Sequence, residues 1–326
     1  MELLPPRLIP AEVLDSRLHP NMLRRFQAGK VVRLTGGYYV ESAIWGGLPP
    51  WERYVLAAAA KALRAPHAVF CGETAALLHG LPLARTPKTL HLAVSSRGHT
   101  GLAPDTFDAS IRGVPPAPRA SHHSHPQRRV VVRGAYRLVP MEEAVAELAG
   151  KLPMELSLPT LDVAVAQLRG RRGGMERLNA AIDALETKTA KAQARGVLAL
   201  ADPLSESPGE SQSRAIMARF GFEKPVLQHV IRDAKGFVAR VDFWWPSVGV
   251  VGEFDGRGKY LDPALLRDIE TWEAVNREKH RHERVLQNVR GVVRWGSDEV
   301  KHPERLKTLL LEAGVPWDPR KRSRLR

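Results

Sequence analysis

The stretch VDFWWPSVGVVGEFDG, residues 241 to 256, places Asp242, Glu253 and Asp255 among apolar residues that read as two strands joined by a turn. Side chains alternate along a strand, so Glu253 and Asp255 point to one face. Asp242, on the preceding strand, is placed to face the same cleft. Neighbouring carboxylates repel one another, and burial raises the cost of their charge. Such a group is relieved either by protonation or by a cation. Oxygen ligands suit a hard divalent ion, Mg²⁺ or Mn²⁺, and Mg²⁺ commonly takes only one or two carboxylates plus water. An ion held there polarises a phosphoryl oxygen and activates a bound water. Lys259, four residues beyond Asp255, is a candidate for stabilising developing negative charge. Glu210, at the start of a preceding helix, is a candidate to complete the site through a water. The alternative is structural. Asp255-Gly256 is a common turn dipeptide, and Glu253 has Arg240 and Arg281 as possible ion-pair partners.

The elements that must hold these side chains follow from the pattern between about 205 and 313. The Pro-, Ser- and Gly-rich run DPLSESPGESQSR marks a boundary and then a helix start near Gly209 or Glu210. Strands follow over PVLQHVIRD, GFVARVDFWW and SVGVVGEFDG, turning at Asp233–Gly236 and Pro246–Gly249. A charged helix is predicted from Pro263 to Arg290, then the strand VVRW and a last helix near 298 to 313. The order is α-β-β-β-α-β-α. Arg277, Arg281 and Arg284 fall on one face of the charged helix. They form either a phosphate clamp or a solvated face balanced by Glu278 and Glu283. Trp244, Trp245 and Trp295 read as core.

Towards the N-terminus, PAEVLD reads as a short helix and NMLRRFQAGK as a second, with Asn21 as N-cap and Gly29 as stop. VVRLTGGYYV then reads as a hairpin turning at Gly36-Gly37. Two helices and a β-wing are the winged helix-turn-helix order, in which the second helix enters the major groove. Arg24 and Arg25 on that helix, with Lys30 and Arg33 at the wing, become candidate DNA contacts. The alternative is a helical cap with solvated arginines. Further on, WERYVLAAAAKALRA is helical, and AVFCGETAALLHGLPL is a short strand followed by a helix. KTLHLAVSS and VVVRGAYRLVP read as strands. Between them a Pro-rich segment contains SHHSHP, whose histidines are either metal ligands or residues of a surface loop, the loop being preferred. PMEEAVAELAG and LPTLDVAVAQLRG are helical, and the segment 171–201 continues helical after Gly173-Gly174. Cys71 reads as a small packed residue, because no base for it is apparent.

Composition sets the outer limits. The 326 residues exceed one ordinary domain. No apolar run is long enough to span a bilayer, and MELLPPRLIP lacks the pattern of a secretory signal. With Cys71 as the one cysteine, an intramolecular disulfide and a multi-cysteine zinc site are excluded. A cytoplasmic location is expected. The formal net charge of +14 favours polyanionic partners, DNA foremost. It is unevenly placed: Ser110 to Pro140 holds arginines 112, 119, 128, 129, 133 and 137 with no acid, and the tail PRKRSRLR is basic.

The span from about 205 to 315 resembles the very-short-patch-repair-like endonuclease domains of the PD-(D/E)xK superfamily. The matching pieces are ESQSR, Pro225 with Gln228, VDF, GEFDG..K, and EKHR....L....GVVRW. The resemblance implies Asp242 and Glu253 as metal ligands and Glu210 as an accessory acid, with Gln228 and Asp255 nearby. It also shows a departure, since Asp255 stands where the superfamily's motif has lysine. The span from about 5 to 200 resembles AbiEi-like antitoxins, carried by RLTGGYYV and CGETAALLHGLPL. That implies a winged-helix regulator of a type IV toxin–antitoxin system, with a toxin as possible partner.

The expected chain is thus α/β and multidomain. A winged helix-turn-helix covers 1–48 and an α+β AbiEi-like region covers 49–204. A restriction-endonuclease-like αβββαβ domain covers 205–318, with a basic tail at 319–326. The expected function is DNA binding with metal-dependent phosphodiester hydrolysis, in repair, phage defence or regulation. The alternative is a non-enzymatic regulator or antitoxin.

Overall fold

The computed structural model describes residues 8–10, 19–103, 114–125, 129–256 and 284–325. The chain is mixed α/β with three sheets among these residues. It divides into two compact units, one of residues 1–148 with 176–184, the other of 149–175 with 185–326.

The first unit begins with a three-stranded sheet of order β1-β3-β2, from Ile9–Pro10, Tyr38–Glu41 and Val31–Thr35 respectively. The β2–β3 hairpin turns at Gly36-Gly37 as expected. Gly37 has φ +84°, a left-handed conformation that glycine adopts without a Cβ clash. Helix α1 (His19–Gln27) starts before Asn21 and ends ahead of Gly29, also left-handed. The short helix α2 (Ser42–Gly47) buries Trp45, whose indole N–H donates to the Pro115 carbonyl. Helix α3 (Pro50–Arg64) carries Pro at its first position, where no backbone N–H is needed. Its run of buried alanines, 57 to 60, lets the helix backbone pack closely against its neighbours.

The unit's larger sheet has the order β6-β7-β5-β4-β9-β8. Its strands are β4 (Val69–Phe70), β5 (Thr89–Val94), β6 (Gly101–Leu102), β7 (Arg119–Ser124), β8 (Val131–Arg133) and β9 (Tyr136–Leu138). Helix α4 (Gly72–Leu78) follows β4, and α5 (Met141–Lys151) follows β9. Phe70, Leu90, Leu92 and Leu138 join Trp45 and Tyr54 in one core. The histidine-rich segment corrects the sequence reading. RASHHS is not a surface loop but strand β7, parallel to β5 with Thr89 opposite Arg119 and Val94 opposite Ser124. Pairing on both edges overrides the weak strand preference of His and Ser, which is a tertiary effect. The arginine run is also partly engaged. Arg129 pairs with Glu143, and Arg133 donates to the His79 carbonyl.

In the second unit, α9 (Pro208–Phe220) precedes a sheet of order β10-β11-β12-β13. The strands are Val226–Asp233, Gly236–Trp245, Val250–Asp255 and Gly291–Gly296. β10, β11 and β12 pair antiparallel, whereas β12 and β13 run parallel with Glu253 opposite Arg294. A parallel pair requires a crossover connection. Most of that connection, 257–283, lies outside the described residues, and with it most of the predicted 263–290 helix; 284–288 is helical. Trp245 and Trp295 are core with Phe243, Ile216, Leu306 and Leu310. Trp244 is only partly buried and stacks on His229 at 5.4 Å. The helix expected near 298–313 is two, Ser297–Lys301 and Pro303–Glu312, because Pro303 cannot continue the first. Likewise the helical run expected over 171–201 breaks into α7 (Gly174–Asp183) and α8 (Lys188–Leu200). Thr187 caps α8 by accepting from the Ala190 N–H at 3.1 Å.

Helix α9 is fixed by a buried ion pair. Asp162, on α6 (Met154–Arg169), accepts from Arg214 at 2.8 Å, from the Ser211 hydroxyl at 2.6 Å and from the Asp202 N–H at 2.8 Å. Burial pushes the Asp162 carboxyl up, and Arg214, Ser211 and the Asp202 N–H pull it back. Arg214 also donates to Ser205 and the Leu200 carbonyl. At the other end of the packing, a Cβ on Gly209 would lie 2.1 Å from the Phe254 ring. Only glycine lets the first turn of α9 come this close to β12.

Candidate active site

The acidic residues meet where the start of α9 faces β10, β11 and β12. Glu210 occupies the third helical position, after Ser207 as N-cap and Pro208 as first residue. Ser207 accepts from the Glu210 N–H, and Glu210 in return accepts from the Ser207 hydroxyl at 2.7 Å and the Glu206 N–H at 2.9 Å. This is a variant of the capping box. The resemblance implies an accessory acid here, and the fold also gives Glu210 a helix-start role. Its remaining partner lies on β10: the Gln228 amide donates to Glu210 Oε2 at 3.1 Å and reaches Asp242 Oδ1 at 3.5 Å.

Gln228 has φ 51°, the one positive-φ residue other than glycine among the described residues. Left-handed backbone at a residue with a Cβ is held by its surroundings and concentrates at functional sites. The β10–β11 register pairs Leu227 with Phe243 and His229 with Val241 around it.

Asp242 lies on β11, and its Oδ2 accepts the Phe254 backbone N–H at 2.9 Å. Burial pushes its carboxyl from 3.8 up to about 6. Glu210 and Glu253 push it the same way, while the Phe254 N–H and the Gln228 amide oppose them. Glu253, on β12, is only partly exposed and pairs with Arg294 on β13 at 2.7 Å. Of the two expected partners, only Arg240 is shown to be engaged elsewhere. Arg240 pairs with Glu206 at 2.7 Å, and Arg281 lies outside the described residues. Asp255 is exposed at the end of β12. It lines a depression with Arg294, Trp295, Gly296, Ser297, Asp298 and Glu299.

Gln228 thus links Glu210 and Asp242, while Glu253 lies on the adjacent strand paired with Arg294 and Asp255 lies at the margin. Among the described residues, these acids do not bring three oxygens within 4.8 Å of one another. Arg294 was not singled out in the sequence; only the parallel register of β12 and β13 sets it beside Glu253. Arg284 is bound bidentately to Asp233, and that guanidinium holds the Asp233 carboxyl below its usual range. Lys259 and Arg277 lie outside the described residues. In the first unit, Arg24 and Lys30 are exposed, Arg25 pairs with Glu41, and Arg33 lies over the Tyr39 ring at 5.9 Å.

The fold and this site define a mixed α/β protein with a carboxylate–amide cluster on its four-stranded sheet. No protein-family model matches the chain. Two Mycobacterium tuberculosis proteins named as uncharacterized, MT2308 of strain CDC 1551 / Oshkosh and Rv2248 of strain ATCC 25618 / H37Rv, are each 30% identical to it over 207 residues. Those residues are 63% of this chain and 69% of each relative. The chain belongs to the family of these mycobacterial proteins. The crystal structure of the RV2827C protein from Mycobacterium tuberculosis is 17% identical, covering 70% of this chain and 84% of that one at a TM-score of 0.35. That likeness is too loose to bear on fold or function. Among the described residues, no helix is long and apolar enough to cross a membrane.

Proposed function

We propose that the second unit is a restriction-endonuclease-like domain that hydrolyses DNA phosphodiesters with a divalent ion held by Asp242 and Glu253. The observation that carries this is the placement of Asp242: a partly buried carboxyl on β11, bonded to the Phe254 N–H and joined through Gln228 to Glu210, where burial pushes its pKa up and Glu210 and Glu253 push the same way. A divalent cation is the natural relief for such a group, and its oxygen donors are those Mg²⁺ or Mn²⁺ takes. The α-β-β-β order, closed by β13 parallel to β12, fits the same reading.

The ion, when bound, supplies Lewis acidity and a water of lowered pKa. The chain's own residues do the rest. The Phe254 N–H fixes one Asp242 oxygen, leaving the other turned toward Gln228. Gln228 spaces Asp242 from Glu210 and gives the pair a shared donor. Arg294 brings a guanidinium to the edge of the cluster, where it stands in for the lysine that Asp255 replaces. A cation at that edge stabilises charge developing on a phosphoryl oxygen. In the first unit, α1 and the β2–β3 hairpin are read as recognition helix and wing, with Arg24, Arg25, Lys30 and Arg33 as DNA contacts. The AbiEi-like reading of the remainder adds a possible toxin partner.

Plasmid nicking tests this with Mg²⁺ or Mn²⁺, comparing the wild type with Asp242→Ala and Glu253→Ala. Metal-dependent nicking by the wild type, lost in both variants, is the expected result. Wild-type cleavage no greater than that of either variant removes the enzyme. The regulator or antitoxin reading, in which the domain only grips DNA or a partner, then takes its place.

A further inference from the structure

The first unit holds a different set of donors, independent of the reading of the second. β4 runs into Cys71, whose N–H donates to the His91 carbonyl of β5 at 3.0 Å. β7 runs into His125, whose N–H donates to the Val94 carbonyl at 2.8 Å and so keeps the sheet geometry one residue beyond the strand. Alternation then sets His123 and His125 on one face of the sheet. Helix α5 packs there: its Ala144 joins Val69, Cys71, Ala75 and Ala93 in one apolar cluster. Glu147 lies three residues on from Ala144, on the same side of α5. Cys71, His125 and Glu147 consequently bring one donor atom each within 4.8 Å of one another, with Cys71 and Glu147 buried. Among the described residues this is the group that does so; the acids of the second unit do not.

We infer that Cys71, His125 and Glu147 bind a zinc-class divalent ion and leave one coordination position open. The donor set is one thiolate, one imidazole and one carboxylate, the three ligand types that zinc takes. The distances agree. His125 Nε2 and Glu147 Oε2 are 3.3 Å apart. Ligands at zinc bond lengths on a tetrahedron lie about 3.4 Å apart. Three protein ligands with a vacant fourth position is the pattern of reactive rather than structural zinc.

A second group borders the site. His91 Nδ1 and His123 Nε2 share a hydrogen bond at 2.8 Å, and His91 Nε2 lies 3.4 Å from Glu73 Oε2. The two groups adjoin at Gly72, φ +52°, where an added Cβ would lie 3.6 Å from the His91 side chain and 3.8 Å from Glu147 Oε2. The ordinary alternative is a His125–Glu147 ion pair with Cys71 merely packed beside it.

Cobalt substitution of the full-length protein separates these. Because Cys71 is the one cysteine of the chain, a thiolate-to-cobalt charge-transfer band can arise nowhere else. The expected results are one equivalent of zinc per chain after purification without chelator, and that band with tetrahedral visible transitions after exchange for Co²⁺. Cys71→Ser should abolish the band, and His125→Gln and Glu147→Gln should each weaken binding at least about tenfold, since even outer partners of a metal ligand cost that much. Far-UV circular dichroism checks that the variants fold. Should Cys71→Ser fail to fold, the wild-type spectrum decides alone. Cobalt binding without the charge-transfer band overturns the inference, as does zinc content unchanged in the His125 and Glu147 variants.

Discussion

Replacing Asp242 by Asn tests the candidate active site without any assumption about substrate. The Asp242 carboxyl is raised from 3.8 to about 6 in the folded chain. An acid with a raised folded pKa binds more protons in the native than in the unfolded state. Its contribution therefore favours folding below pH 4 and is lost as pH rises through the interval from about 4 to about 6. A shift of this size corresponds to about 3 kcal/mol. Solvent reaches the partly buried carboxylate, so screening reduces the figure to about 1–2 kcal/mol. Asparagine removes the titration and keeps an oxygen for the Phe254 N–H. Urea unfolding from pH 4.5 to pH 7.5 should show Asp242→Asn gaining on the wild type as pH rises, by about 1–2 kcal/mol at pH 7. Saturating Mn²⁺ should then close the gap by stabilising the wild type alone, since a ligand that binds only the native state stabilises it. A gap that does not change with pH, or a variant less stable at pH 7, would refute the claim that the site holds an unrelieved carboxylate.

Two further substitutions probe how the site is held. Arg214→Met leaves Asp162 buried without its charged partner, and thermal or urea unfolding should register a loss of about 3–5 kcal/mol. Asp162→Asn should also destabilise, because Asp162 uses Oδ1 for the Asp202 N–H and Oδ2 for Ser211 and Arg214, asparagine keeps only one of these acceptors, and the buried Arg214 loses its charged partner. Gly209→Ala drives a methyl into the Phe254 ring, so α9 must shift away from β12. Unfolding should show a loss of about 1–3 kcal/mol, and metal-dependent nicking should fall further than stability, since Glu210 moves with the helix. Nicking at the wild-type level would show that Glu210 has no part in the site.

Much of the second unit was legible because its signals are local. Alternation gave the strands that became β10 to β12, Asp233–Gly236 and Pro246–Gly249 gave the turns, and the Pro-, Ser- and Gly-rich run before Gly209 placed the start of α9 to within a residue or two. Local signals also overreached. The single helix expected near 298–313 ignored Pro303, and the one over 171–201 ignored the cap at Thr187. The site itself was half legible. Asp242 and Glu253 stood out because acids are unexpected in apolar strands. Arg294 did not, since an arginine on a strand carries no mark until the neighbouring strand is known.

The sequence by itself determined the types and local periods of the elements, the excess of positive charge and the presence of an acidic group within apolar strands. These depend on residues a few positions apart. Tertiary structure alone decided that β13 runs parallel to β12, setting Arg294 beside Glu253. It also decided that the histidine segment is a strand rather than a loop, and that Cys71, His125 and Glu147 meet. Those residues are separated by tens of positions. Strand pairing and helix docking, not local propensity, fix the distances between them.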